Sequence, residues 1–188
     1  GGWFDLSGGK NALCGLRGEG ELWCWGANNS LAKLGRVDQV ADQAAPMRIG
    51  TGTNWGSVSM GGDHGCALKT DSTLWCWGTN IDGRLGFNST LNLETTGFVP
   101  TQEETQSSWL KVQAGDKHTC GLKDDGGLYC WGNNEYGQLG LGDFANRFEP
   151  TLVHAGPFKD VALMAEGTCA LHGDDSDSDG IYCWGQNE

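Results

Sequence analysis

The sequence lacks any run of basic residues: 12 Lys and Arg stand against 24 Asp and Glu, a net charge of −12. A duplex-binding surface must neutralise phosphates with clustered cations, so this balance rules against nucleic acid. It rules equally against an anionic membrane surface. No apolar stretch reaches the ~18 residues that a membrane-spanning helix requires. Proline is scarce, at 4 residues, while glycine reaches 32 and tryptophan 9. That is not the mixture of a disordered chain, because large aromatics need a core to occupy. No segment holds a helical period for long. There is no nucleophile elbow, Gly-rich phosphate loop or H-E-x-x-H, so no enzyme is expected. An initiating methionine and a signal peptide are also missing. The chain opens Gly1-Gly2-Trp3 and reads as a processed mature chain or as a piece of a longer one.

What the chain does have is a repeat. Cys-Trp-Gly occurs at Cys24-Trp25-Gly26, Cys76-Trp77-Gly78, Cys130-Trp131-Gly132 and Cys183-Trp184-Gly185, spaced 52, 54 and 53 residues apart. An aromatic residue stands 11 positions before another cysteine in each unit: Trp3 and Cys14, Trp55 and Cys66, Trp109 and Cys120, Phe158 and Cys169. Each unit reads as four short strands: a Pro-led strand (Pro46–Ile49, Pro150–Val153), a Trp-led strand, a strand at the first cysteine and one ending in Cys-Trp. Glycine pairs and Asp/Asn/Gly turns separate them. Four strands per ~50 residues is the signature of a propeller blade. The last strand is apolar on both faces, with Leu22 and Cys24 on one side and Trp23 and Trp25 on the other. Trp25, Trp77, Trp131 and Trp184 are therefore expected in equivalent buried positions between blades. The fold class expected is all-β, a single repeat domain over 1–188, with repeats at approximately 1–45, 46–96, 97–149 and 150–188.

The motifs of the third unit carry a resemblance. Val112-Gln113-Ala114-Gly115, His118-Thr119-Cys120-Gly121-Leu122, Leu128-Tyr129-Cys130-Trp131-Gly132-Asn133-Asn134 and Gly137-Gln138-Leu139-Gly140 resemble the regulator of chromosome condensation repeat. The resemblance extends over essentially the whole chain. It implies blades of a seven-bladed propeller, which four repeats cannot close alone. It implies no single function, since the family includes guanine-nucleotide exchange, chromatin docking and β-lactamase inhibition.

All eight cysteines fall into pairs within a repeat. Cys14 and Cys24, Cys66 and Cys76, and Cys120 and Cys130 are 10 residues apart; Cys169 and Cys183 are 14 apart. Each pair is placed symmetrically about a hairpin turn, so the partners face each other and four disulfides are expected. The C-x9-C spacing is wrong for zinc. Persistent disulfides place the chain in an oxidising compartment, secreted or extracellular.

Asp175, Asp177 and Asp179 form the start of a D-x-D-x-D-G calcium loop, but Gln186 stands where the closing carboxylate belongs. Calcium is the one cofactor the sequence suggests, and the alternative is an acidic hairpin tip. Asn28 and Asn88 head N-glycosylation sequons in loops expected to be exposed. His64 and His118 share one repeat position without recurring partners and read as packing residues.

The function expected is a non-catalytic extracellular module for protein binding or assembly. The alternative is a soluble inhibitor or ligand-binding propeller capping another protein. A guanine-nucleotide exchange factor comes third, disfavoured by the disulfides. The partner expected is a protein, or further copies of the chain, meeting open blade faces.

Overall fold

The computed structural model describes residues 1–28, 33–36, 42–88, 99–103, 108–173 and 180–186. Its elements are short antiparallel strands, apart from one 3-10 turn at Ile81–Gly83. Blade 1 contains β1 (Trp3–Gly8), β2 (Ala12–Arg17), β3 (Glu21–Gly26) and β4 (Gln43–Thr53). Blade 2 contains β5 (Trp55–Met60), β6 (His64–Lys69), β7 (Leu74–Gly78) and β8 (Thr101–Gln102). Blade 3 contains β9 (Trp109–Ala114), β10 (His118–Lys123), β11 (Leu128–Gly132) and β12 (Arg147–His154). Blade 4 contains β13 (Phe158–Leu163), β14 (Gly167–His172) and β15 (Gly180–Gly185).

One expectation is corrected here. The Pro-led strand was read as the first strand of a repeat, but it is the fourth strand of the blade before it. Cys24 pairs with Met47, Cys76 with Thr101 and Cys130 with Thr151, so the residue after each proline faces the second cysteine. The physical reason is edge satisfaction. The Cys-Trp strand pairs with the cysteine hairpin on one side only, and the chain folds back to supply the other. The sheets accordingly divide between Thr53 and Trp55, between Gln102 and Trp109, and between His154 and Phe158. The one blade described with three strands is the last.

The first strands line the axis, with β1 packing on β5, β5 on β9 and β9 on β13. Their free edges are capped by side chains of the preceding blade. Asp5 accepts from Val58 N–H at 2.9 Å, Ser7 from Met60 N–H at 2.9 Å and Ser59 from Ala114 N–H at 2.9 Å. This keeps the inner edges from remaining open donors. The turns meet so closely at the axis that a Cβ on Gly61 would lie 2.2 Å from the Gly115 carbonyl oxygen. Each Cys-Trp-Gly glycine also has positive φ, from 99° to 107°, a backbone state that costs a side chain dearly.

The core lies between blades. Leu16, Leu22, Cys14 and Cys24 of blade 1 pack with Trp55, Val58 and Trp77 of blade 2. Blades 2 and 3, and blades 3 and 4, repeat the pattern. Four disulfides join Cys14–Cys24, Cys66–Cys76, Cys120–Cys130 and Cys169–Cys183, with Cα atoms 4.1 Å apart in each. Three are fully buried, whereas Cys169 is half-buried and Cys183 exposed.

Candidate interaction surfaces

The loops after Cys-Trp-Gly are built by one device used three times. The asparagine four residues after the second cysteine turns its side-chain oxygen inward. It accepts from the backbone N–H of a leucine: Asn28 from Leu34 at 3.3 Å, Asn80 from Leu85 at 3.0 Å, Asn134 from Leu139 at 3.0 Å. This fixes the carbonyl of the residue before the leucine, which faces the next blade. The Lys33 carbonyl accepts from Trp77 Nε1 at 3.0 Å, Arg84 from Trp131 at 3.0 Å and Gln138 from Trp184 at 2.9 Å.

The histidines join the same junctions. Thr119 donates to the Arg84 carbonyl at 2.8 Å, and its hydroxyl meets His64 Nε2 at 2.8 Å. Thr168 donates to the Gln138 carbonyl at 2.8 Å and meets His118 Nε2 at 3.0 Å. Each relay thus ties a histidine of one blade to a threonine of the next. At the blade 1–2 junction the corresponding residues are Ala12 and Gly65, and the tryptophan bond stands without the relay. Burial, reinforced by the Arg84 charge, pushes His118 down to about 4. Burial, then Arg84 and His118, holds His64 well below the ordinary imidazole value. Both rings are therefore neutral packing groups at neutral pH. The buried Arg84 guanidinium donates to Ile81 O at 2.8 Å and pairs with Asp82 at 3.0 Å.

A second recurring assembly lies at the opposite end of the blades. A cation three residues after the first cysteine sits over an aromatic pair. Arg17 lies 5.9 Å from Trp3 and 5.6 Å from Trp23; Lys69 lies 5.1 Å from Trp55 and 3.7 Å from Trp75. Lys123 lies 4.6 Å from Trp109 and 4.8 Å from Tyr129. In blade 4 the position is His172, edge-on to Phe158 at 5.2 Å and Tyr182 at 6.2 Å. Beside it, between blades 3 and 4, opens a cavity of about 550 Å³.

The two outer blades expose apolar side chains. Trp3, Phe4 and Leu6 on blade 1 are exposed, as are Leu171 and Ile181 on blade 4. Among the described residues, no group of three or more His, Cys, Asp or Glu is arranged to hold a metal, and no helix is long and apolar enough to cross a membrane.

The family model described as "Regulator of chromosome condensation (RCC1) repeat" matches residues 19–68, 71–122 and 125–171. The chain belongs to the RCC1 repeat family. It is 28% identical over 195 aligned residues to the E3 ubiquitin-protein ligase HERC2 of Mus musculus, covering 98% of this chain and 4% of HERC2. Human WBSCR16 shares the fold with a TM-score of 0.84 at 20% identity, over 97% of this chain and 49% of that one. Prp20p of Saccharomyces cerevisiae, characterised with Gsp1p and histones, gives 0.79 at 22% identity, over 90% and 44%. The ectodomain of the Physcomitrella patens receptor kinase CR4 gives 0.59 at 23% identity, over 96% and 40%. The chain thus spans less than half the length of these proteins.

Within the RCC1 frame the anticipated residues separate. Trp77 and Trp131 are fully buried, whereas Trp25 and Trp184 are half-buried. The indoles of Trp77, Trp131 and Trp184 press on the loop of the preceding blade. Trp184 does have its loop, yet its other side borders the open cavity. The expectation that both sequons are exposed fails at Asn28. It is fully buried with its oxygen committed to Leu34, because it is the loop-closing asparagine of its RCC1 blade. Asn88 is exposed. The suggested calcium ligands Asp175, Asp177 and Asp179 lie outside the described residues.

Sequence reasoning missed the threonine partners of the histidines. The signal was present: His64 and Thr119, like His118 and Thr168, are one repeat plus one residue apart, while Ala12 meets Gly65.

Proposed function

We propose that this chain is a run of blades from an extracellular RCC1-type propeller that works by binding protein and carries out no chemistry of its own. The observation that supports the reading most is the placement of the bridges. Every blade has one disulfide, at the same register position, and none joins two blades. Regular bridges of this kind persist in oxidising compartments and stiffen a scaffold that presents loops. The likeness to a receptor-kinase ectodomain supplies a precedent for this fold outside the cell. Prp20p, studied with Gsp1p and histones, supplies one for protein recognition.

Exposed Trp3, Phe4 and Leu6 on blade 1 and Ile181 on blade 4 offer apolar surface that further blades, a second copy or another protein can cover. The two faces differ, so a contact between them is heterologous and builds a ring or a filament. Analytical ultracentrifugation of the oxidised chain tests this directly. Association that strengthens with concentration and is lost on Leu6→Glu supports assembly. A monomer at all concentrations removes assembly and leaves the inhibitor reading. Recovery of folded protein only from a reducing cytosol, with eight free thiols, would remove the extracellular reading.

A further inference from the structure

The chain has four histidines. His64 and His118 are packed inside the blade junctions, each with its Nε2 on a threonine hydroxyl. The other two, His154 and His172, meet at the opposite end of the junction between blades 3 and 4. Their rings stand at 90° with centroids 6.2 Å apart, and Phe158 lies edge-on to both, at 5.9 Å and 5.2 Å. His154 closes β12 and is exposed; His172 closes β14 and is half-buried.

The connection between the two blades runs past both rings. A Cβ on Gly156 would lie 3.3 Å from His154 Nδ1 and 3.4 Å from His172 Nε2, with no nearer atom outside the adjoining residues. Gly156 thus leaves a space bordered by one nitrogen from each ring. No hydrogen-bond partner among the described residues holds His172 Nδ1. Nδ1 can therefore keep the ring proton while the Nε2 lone pair faces the space.

Blades 1, 2 and 3 have no such pair. Three residues after the first cysteine they carry Arg17, Lys69 and Lys123, which donate hydrogen bonds and have no lone pair to give. Blade 4 alone has an imidazole there, and β12 of blade 3 brings the second.

We propose that His154 and His172 form a two-histidine zinc site that clasps blade 3 to blade 4. Imidazole nitrogen suits zinc, whereas calcium and magnesium take oxygen. Zinc–imidazole bonds are about 2.0–2.1 Å long, so the ion settles from the Gly156 point toward the rings, with the exposed His154 ring turning onto it. Water completes the coordination, since no group of three His, Cys, Asp or Glu gathers there among the described residues. The ion ties the outer strand of one blade to the middle strand of the next, so its binding stabilises the junction.

Nitrogen NMR of the four imidazoles, with zinc chloride titrated into the oxidised chain, tests the proposal. The ring signals of His154 and His172 should shift together and saturate at one zinc per chain, while those of His64 and His118 stay in place. The melting temperature should rise over the same titration. His154→Ala, at an exposed position, should melt near the unaltered chain without zinc, and should weaken binding by more than the roughly tenfold that loss of an outer-shell partner costs. Shifts confined to one ring, saturation at one zinc per two chains, or unchanged binding in His154→Ala would overturn the proposal. Displacement of the zinc by an equal concentration of calcium would also overturn it, because the ion would then sit on carboxylates.

Discussion

Trp131→Ala is the sharpest perturbation of a blade junction. The indole is completely buried, lies 5.7 Å from Trp109 and donates to the Arg84 carbonyl at 3.0 Å. That carbonyl keeps the Thr119 hydroxyl at 2.8 Å, so the variant leaves no orphaned acceptor. The loss is therefore transfer and cavity energy, about 3–5 kcal/mol for a buried aromatic, plus ~1 kcal/mol for the lost hydrogen bond. In a chain of this size each kcal/mol shifts Tm by roughly 2–4 °C, so a fall of at least ~6 °C is expected. Trp25→Ala serves as the internal control. It occupies the same repeat position half-buried, and should cost less than ~2 kcal/mol. Thermal unfolding is followed by far-ultraviolet circular dichroism and by calorimetry, whose transitions should coincide. Equal losses at the two positions, or a loss below ~1 kcal/mol at Trp131, would refute the assignment of the core to the blade junctions.

Graded reduction should break Cys169–Cys183 first, because it alone is exposed, while the three buried bridges survive; alkylation followed by mass spectrometry reads the order. Acid should destabilise the fold through its histidines. His118 is held neutral in the folded state down to about 4, whereas the unfolded chain takes up a proton near pH 6.5. Stability is then full above about pH 6.5 and falls as pH drops toward 4, by about 3 kcal/mol for this group. His118→Gln should flatten that slope in urea unfolding at stepped pH. Expressed through a eukaryotic secretory pathway, the chain should carry glycan at Asn88 and none at Asn28, read by glycosidase treatment and peptide mass; glycan at Asn28 in folded protein would contradict its burial.

The cysteines and tryptophans made much of this fold legible in advance. A hairpin places residues equidistant from its turn opposite one another, so Cys120 and Cys130 could be paired from the Asp124-Asp125-Gly126 turn alone. Grouping the strands into blades was harder. Pro46 and Pro150 follow loops of variable length, and spacing does not say whether a strand belongs to the blade it leaves or the one it enters. The unpaired edge of the Cys-Trp strand decides that, and an edge is a property of the sheet. Asn28 was misjudged because the sequon was read locally, although asparagine recurs four residues after each second cysteine at Asn80, Asn134 and Asn187. The cavity between blades 3 and 4 was legible only in part. Phe158 was visible as the odd aromatic in its series, but its turn toward His154 required a partner from the outer strand of another blade.

Blades that are stapled one by one require every bridge to stay within its blade. Peptide mapping of the unreduced chain, folded in an oxidising compartment, measures this directly. The expected linkages are Cys14–Cys24, Cys66–Cys76, Cys120–Cys130 and Cys169–Cys183, with no free thiol. A linkage between cysteines of different blades, or a chain that folds with its thiols free, would contradict it.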